Sequence, residues 1–319
     1  VEMQQKVKAV DEMLEHCWQQ RSYFPGFAAI SRYLLNWDKQ EFLLDEFIGE
    51  LQQNEGPEYA NKFMELLGKP TADITYKKYA AQLREVKSKY EENYGLTDEQ
   101  FLDLSLLNLK PFQFQRILSG KLKLSGDWRK TIDDEHRSHT VEEICNNPYL
   151  LFEEYESYAE LLDKVTGEEK DNPVELFKID IAYFPDTRFG IERLELQYQM
   201  KNNDKRRIRA LLIRYLRTLE NTGHCFADAA EVEDAIRNYP LFYNTGTDYN
   251  LPANFFEKLS NDYIIHFEEN DNKLKVVSEN DTKYFYLYEV YHAEEEIEEV
   301  VELLLQEADN DDVYENFDA

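Results

Sequence analysis

The segment DKRRIRALLIRYLRTL, residues 204–219, has the clearest helical pattern in the chain. Apolar side chains recur in it every three or four residues, which predicts a helix with one apolar face. This face consists of Ile208, Leu211, Leu212, Tyr215, Leu216 and Leu219. Most of the arginines fall outside the apolar positions, so we expect the solvent side of the helix to be basic.

Two more helices and a set of strands are predicted after this segment. Helical spacing covers residues 227–238 and 252–259. The hydrophobic period then changes from about 3.6 residues to about 2. Residues 263–267 and 273–277 therefore predict a β-hairpin closed by a polar turn, and residues 283–290 predict a third strand. Three helices followed by a hairpin is the element order of a winged-helix unit.

Upstream of this unit the sequence predicts further helices with recognisable ends. Gly95 is placed to cap a polar helix over residues 76–94, and Thr97 is placed to begin the next helix. Thr140 opens a capping box whose short helix must stop before Pro148, because proline disfavours a helical conformation in the residue before it.

These patterns together predict a mainly α protein. We expect a helical N-terminal region with helix-hairpin-helix-like segments, followed by a winged-helix-like unit with a small antiparallel β-sheet. The predicted divisions are an N-terminal helical region (1–70), a helical region with helix-hairpin-helix-like segments (71–200), the winged-helix-like unit closed by a helix at 293–306 (201–306), and an acidic linker or tail (307–319).

The turn Phe24-Pro25-Gly26-Phe27 has two interpretations. It is similar to the hydrophobic-Pro-Gly-hydrophobic turn of helix-hairpin-helix modules, in which glycine lets the backbone approach a phosphate. It also fits an ordinary turn that separates two helices.

Charge is distributed unevenly along the chain. The net charge of −29 argues against a general nucleic-acid coat protein, because phosphate binding relies on Lys and Arg. Basic residues nevertheless concentrate in residues 201–217 and 110–130, and such patches act locally because salt screens charges over about 8 Å. The candidate DNA-binding residues are Lys201, Lys205, Arg206, Arg207, Arg209, Arg214, Lys121 and Lys123. The alternative is that both patches are solvated helix faces.

The motifs of common catalytic sites are missing. The nearest string to a phosphate loop is Ser119-Gly120-Lys121-Leu122, which has Gln115 at the first glycine position and Leu122 at the position of the hydroxyl residue. No GxGxxG, HExxH or GxSxG string occurs. Asp180 lacks the companions of a hard-cation site, so we expect it to be structural or exposed. We expect no enzyme activity, metal or cofactor in this chain.

The three cysteines are far apart and form no CxxC pair, which favours a reducing, cytoplasmic environment. No run approaches the roughly 18–20 apolar residues of a membrane helix. The absence of a starting Met and the acidic end predict that this is part of a larger protein.

Four strings, in order, resemble the region ahead of the motor in RecD-like ATP-dependent DNA helicases. They are ICNNPYLL (144–151), LFKIDIA (176–182), RIRALL with TGHC (207–212 and 222–225), and KYFYL with AEEEI (283–287 and 293–297). In the second string Leu176 stands where the family has glycine. The resemblance covers residues 140–305 and does not extend to residues 1–100.

This resemblance implies a non-catalytic accessory region that guides single-stranded DNA or a DNA junction and packs on a C-terminal helicase motor domain. ATP and Mg²⁺ are then expected only for that motor, which is absent from this chain. One alternative is a helical protein–protein interaction module without nucleic-acid binding. Another is an acidic inhibitor that mimics DNA.

We predict that the purified chain hydrolyses no ATP, because it lacks the glycine and hydroxyl residues that wrap phosphate and hold magnesium. A coupled phosphate-release assay with and without Mg²⁺ measures this. Magnesium-dependent turnover that a point substitution within the chain abolishes would contradict the prediction.

Overall fold

A computed structural model describes residues 2–19, 24–35, 41–118, 141–153, 174–183, 203–238, 251–269 and 273–310. The chain divides into two compact units. The first consists of Val1–Lys201 with Phe242–Gly246, and the second of Asn202–Leu241 with Thr247–Ala319. The described residues are mainly helical and include one small antiparallel sheet, so the predicted fold class is confirmed at this level.

The described residues of the first unit form helices joined by short turns. They are α1 (Glu2–Gln19), α2 (Phe27–Leu35), α3 (Glu41–Glu55), α4 (Tyr59–Gly68), α5 (Ala80–Tyr94), α6 (Asp98–Leu106), α7 (Pro111–Leu118), α8 (Val141–Asn146), α9 (Leu150–Glu153) and α10 (Leu176–Tyr183). Single 3₁₀ turns at Gly56–Glu58 and Lys77–Tyr79 lead into α4 and α5.

Aromatic side chains form the core of the first unit. The buried ring of Phe27 lies 4.9 Å from Phe63 and 6.2 Å from Phe101, measured between ring centroids. Phe47 extends the cluster and lies 5.1 Å from Tyr79. Edge-to-face rings at these distances interact favourably beyond the area that they bury. This cluster joins α2, α3, α4 and α6.

The connection from α5 to α6 confirms two sequence predictions. Gly95 ends α5 in the left-handed conformation, with φ of 64°, which glycine adopts without strain. Thr97 begins α6 with a complete capping box, because its side chain accepts from the N–H of Gln100 and the Gln100 side chain accepts from the N–H of Thr97. Tyr90 and Phe101 then stack at 4.3 Å across the corner.

Gly26 serves internal packing. Its N–H donates to the carbonyl of Ser105 at 2.9 Å, and a Cβ atom at this position would lie 2.1 Å from the carbonyl oxygen of Leu107. The glycine therefore lets two backbone segments of the same unit approach each other. Its N–H already has an acceptor, which fits the interpretation as an ordinary turn between two helices. The similarity to a helix-hairpin-helix turn stays a prediction.

The second unit combines helices with the sheet. Its elements are α11 (Lys205–Glu220), β1 (Phe226–Asp228), α12 (Ala229–Arg237), α13 (Asn261–Glu269), β2 (Leu274–Glu279), β3 (Thr282–Leu287) and α14 (Tyr288–Asn310). The antiparallel sheet has the order β1-β3-β2. Helix α11 contacts α12, α13, β1 and β3, so it lies at the centre of the unit.

The hairpin joins β2 and β3. Glu279 pairs with Thr282 across a two-residue turn in which Asn280 and Asp281 have φ of 48° and 65°. Positive φ at both positions is typical of a type I′ turn, whose twist matches that of the strands, and Asn and Asp tolerate this conformation.

The prediction of a strand at residues 263–267 is wrong, because this segment lies in α13. Tyr263 and Phe267 are four residues apart, so their rings lie on one side of the helix, 6.1 Å apart. Phe267 is fully buried. A short apolar run fits both the helical and the strand period, and here the segment packs against α11 as a helix.

Other predictions in the second unit also need correction. Residues 252–259 form turns, and Asn254 has a φ of 57°, which interrupts helix propagation. Residues 227–228 were predicted as the start of a helix, but they lie in the three-residue strand β1, and Asp228 at its end caps α12, which begins at Ala229. The closing helix begins at Tyr288 rather than at residue 293, and it extends to Asn310, four residues into the predicted tail. Residues 311–319 and Thr140 lie outside the described residues.

We predict opposite effects for alanine at two glycines. Gly26→Ala should destabilise the protein by about 1–3 kcal/mol, because the new methyl group collides with backbone. Gly49→Ala should be neutral or stabilise by up to about 1 kcal/mol, because Gly49 lies inside α3 with open space around it. Urea denaturation followed by circular dichroism measures both. Equal midpoints for the two variants would contradict the packing described for Gly26.

Candidate functional site

The start of α11 is held by an internal ion pair. Asp204 is the N-cap of α11, and its Oδ1 accepts from the N–H of Arg206 at 3.0 Å. The guanidinium of Arg206 turns back onto this carboxylate, with Nε 2.9 Å from Oδ1 and Nη2 2.8 Å from Oδ2. Burial would raise the pKa of Asp204, but the hydrogen bonds and charge of Arg206 lower it overall. Arg206 therefore already holds an anion from its own chain.

Two of the candidate arginines are buried. Arg207 is 3 % exposed and Arg209 is fully buried, so the expectation that the arginines lie outside the buried face is wrong for both. Residues 207–213 are buried without interruption, because α11 is enclosed by elements on several sides. Nη1 of Arg209 lies 3.5 Å from the carbonyl oxygen of His266 on α13. These side chains belong to the interior of the second unit.

The other candidate cations do not form one face among the described residues. Lys205 is exposed and Arg214 is half-buried. Nine residues separate them, which places them about 180° apart around an α-helix. Lys201, Lys121 and Lys123 lie outside the described residues. Whether the basic positions bind DNA therefore stays a prediction, and Lys205 is its most accessible member in α11.

The pKa of His266 is lowered by its position against α11. Burial lowers the pKa of this imidazole to about 4, and the positive charges of Arg209 and Lys205 act in the same direction, each with a larger effect than the opposing charge of Asp204. The ring is therefore neutral at pH 7.

Helix α14 carries an exposed apolar face. We define the α14 face as Ile297, Val300, Val301, Leu303, Leu304 and Leu305, of which Ile297 is 64 % and Leu304 is 59 % exposed. The helix packs on β2 and β3 through its first turns, but every residue from 294 to 306 is exposed. No Lys or Arg follows Lys283 in the sequence, and glutamates occupy the other sides of the helix.

The outer side of the sheet carries a row of aromatic rings. Phe226 on β1 lies 5.6 Å from Tyr284 and 5.2 Å from Tyr286 on β3, and Tyr286 lies 5.3 Å from Tyr291 on α14. Burial raises the pKa of Tyr286, and the nearby charge of Glu294 adds to the shift. This row therefore has charges of both signs beside it, because the ammonium of Lys275 lies 5.8 Å from the centre of the Tyr291 ring.

In the first unit, buried polar groups have structural roles. Tyr149, which follows Pro148, donates to the buried carboxylate of Asp180 on α10 at 2.6 Å. Asp180 is therefore structural, one of the two expectations for it. Burial, together with Glu99, raises the pKa of Asp103 to about 7, and burial, together with Asp103, raises the pKa of the Cys145 thiol to about 12. A thiol held in its neutral form is a poor nucleophile.

The described residues contain no group of three or more His, Cys, Asp or Glu that could hold a metal ion. None of the described helices is long and apolar enough to cross a membrane. The chain matches no protein-family model, no curated protein and no solved structure.

The sequence carries signals for two surfaces that were not predicted, the α14 face and the row of aromatic rings. In α14 an apolar residue recurs at alternating spacings of three and four positions, which marks an apolar stripe on a helix. These residues are Val290, Ala293, Ile297, Val300 and Leu304. Likewise Tyr284 and Tyr286 are two residues apart in a strand, so they point to the same side of the sheet.

We predict that His266 makes the protein sensitive to mild acid. Its pKa in the folded state lies below its unfolded value, so its contribution is complete above about pH 6.5 and is lost as the pH falls towards about 4. Between about pH 7 and pH 5 the loss should be roughly 1 kcal/mol, about half of the full effect, because the ring is partly exposed. His266→Gln should remove this loss.

The measurement is urea denaturation of both proteins at the two pH values. His224→Gln is the control, since His224 is exposed in the turn after α11. A pH dependence in His266→Gln equal to that of the unmodified chain would show that the imidazole is not the responsible group.

Proposed function

We propose that the chain is a non-catalytic accessory region, of the kind that precedes the motor in RecD-like DNA helicases, and that its second unit is a winged-helix-like module. The observation that carries this proposal is the element order α11-β1-α12-α13-β2-β3, with a sheet of order β1-β3-β2. Three helices precede a hairpin in this order, but the third helix is α13, part of which the sequence predicted as a strand, and the hairpin joins β2 and β3.

The positions of the four helicase-like strings support the proposal. The first two strings supply Tyr149 and Asp180, which form a buried hydrogen bond in the first unit. The third string lies on α11 and the turn after it, and the fourth runs from β3 into α14. Each string thus contributes to the framework of its unit.

The charges on α13 limit the kind of DNA contact that this module makes. In three-helix DNA-binding modules the third helix reads a groove, and Lys or Arg neutralises the phosphates. Helix α13 has Asp262, Glu268 and Glu269 and contains no Lys or Arg. We therefore propose that the module guides a single strand through a few backbone contacts near Lys205, without reading a sequence in a groove.

A second candidate function is a protein-interaction module without nucleic-acid binding. A specific observation favours it: among the described residues of α11, Arg206 is paired with Asp204, and Arg207 and Arg209 are buried. Three of the six basic residues of the helix predicted to bind phosphate are thus buried or paired within the unit. Measured DNA binding separates the two candidates.

We predict weak, salt-sensitive binding of single-stranded DNA. Fluorescence anisotropy with a labelled oligonucleotide should show an affinity that falls as salt rises from about 50 to about 200 mM. Lys205→Gln should weaken binding and reduce the slope of log affinity against log salt by about 0.7, the effect of one phosphate contact on a single strand.

Lys258→Gln is the matched control, because Lys258 is also an exposed lysine of the second unit. Arg207 and Arg209 are unsuitable test positions, since their replacement would disturb the interior. Equal slopes for the two lysine variants would place the contact elsewhere. No binding at about 50 mM salt would favour the protein-interaction module.

A further inference from the structure

The α14 face is too extended to be explained as scattered surface residues. Single exposed apolar side chains are normal, but contiguous apolar patches on soluble proteins mark interaction sites. Ile297, Val300 and Leu304 form one stripe along successive turns, and Val301, Leu303 and Leu305 widen it. The described residues place nothing over this stripe, since each position from 294 to 306 is exposed.

The base of α14 is anchored, so the exposed part projects from a fixed support. The N–H of Tyr288 donates to the carbonyl of Lys273 at 3.0 Å, beside the sheet. Tyr291 contacts Tyr286 on β3, as described above. A helix that is held at one end and exposed over its following turns presents its apolar stripe in one orientation.

The charge of α14 indicates which kind of surface can cover the α14 face. Glu296 and Glu298 lie at the two edges of the apolar stripe, and Glu295, Glu299 and Glu302 lie opposite it, at about 100° per residue. A second copy seated on the stripe would bring the carboxylates at its edges together, and each chain has a net charge of −29, so self-association is disfavoured. An anionic membrane repels the helix for the same reason. A surface that offers apolar contact together with Lys and Arg is complementary to both properties.

We propose that the α14 face docks into an apolar groove, bordered by lysine and arginine side chains, on a partner protein. The mode is that of an amphipathic helix laid in a groove, with anchors spaced at i, i+3, i+4 and i+7. The apolar face supplies most of the affinity, and the glutamates accelerate association and exclude acidic competitors. This proposal goes beyond the accessory function and does not depend on DNA binding.

A designed peptide serves as the probe. It has 18 residues of leucine and lysine, with the leucines at helical spacing so that an apolar stripe is bordered by lysines; a second peptide has glutamate in place of lysine. Isothermal titration with the full chain should show binding of the lysine peptide only. The double variant Ile297→Ser, Leu304→Ser should bind it at least about tenfold more weakly.

Two matched controls test whether binding requires the α14 face, or whether any exposed apolar side chain and any exposed glutamates suffice. Ile74→Ser removes an isolated apolar side chain of the first unit that is 83 % exposed, and should leave binding unchanged. Glu296→Gln with Glu298→Gln should weaken binding more than Glu85→Gln with Glu92→Gln, which removes two exposed glutamates of α5. Circular dichroism confirms that α14 stays helical in its variants.

Several outcomes would overturn the proposal. Equal binding of the lysine and glutamate peptides, or equal loss in the Ile74 and α14 variants, would show that the face has no selectivity. Sedimentation should show a monomer; a dimer that the double serine variant dissolves would make a second copy the occupant. Binding to vesicles of phosphatidylserine and phosphatidylcholine, lost in the same variant, would assign the face to lipid. Absence of peptide binding would also refute it.

Discussion

The enclosure of α11 is the constraint on which the second unit depends. Helices α12 and α13 and strands β1 and β3 contact this one helix, and a run of its residues including Arg207 and Arg209 is buried. Burying a cation is unfavourable unless its charge is compensated, so the surrounding elements must supply acceptors such as the carbonyl of His266. The same enclosure depresses the pKa of His266 and draws positive charge away from the surface.

The enclosure of α11 explains why a basic segment of the sequence does not produce an equally basic surface. From its sequence alone, a helix with many arginines resembles a nucleic-acid-binding surface. In the folded unit Arg206 closes on Asp204 at the N-cap, so the carboxylate satisfies the first turn and the guanidinium together. The exposed remainder of the unit is largely acidic, and its most accessible apolar surface lies on another helix.

Local signals in the sequence were reliable where the chemistry is contained within a few residues. Gly95 and Thr97 ended and began helices as predicted, because capping depends on neighbouring N–H and C=O groups. The segment around Tyr263 was predicted incorrectly, since four or five apolar residues satisfy two periods and tertiary contacts decide between them. The burial of Arg209 was also beyond local signals, because a charged side chain is assigned to solvent unless its enclosing elements are known.

The direct junction between β3 and α14 has a mechanical consequence. Strand β3 ends at Leu287 and the helix begins at Tyr288, so no linker residue separates them. Because β3 is the middle strand, hydrogen bonds hold it on both edges, to β1 and to β2. A load applied to the far end of α14 is therefore delivered to the best-anchored strand of the unit. Detaching this strand requires breaking the hydrogen bonds to β1 and to β2.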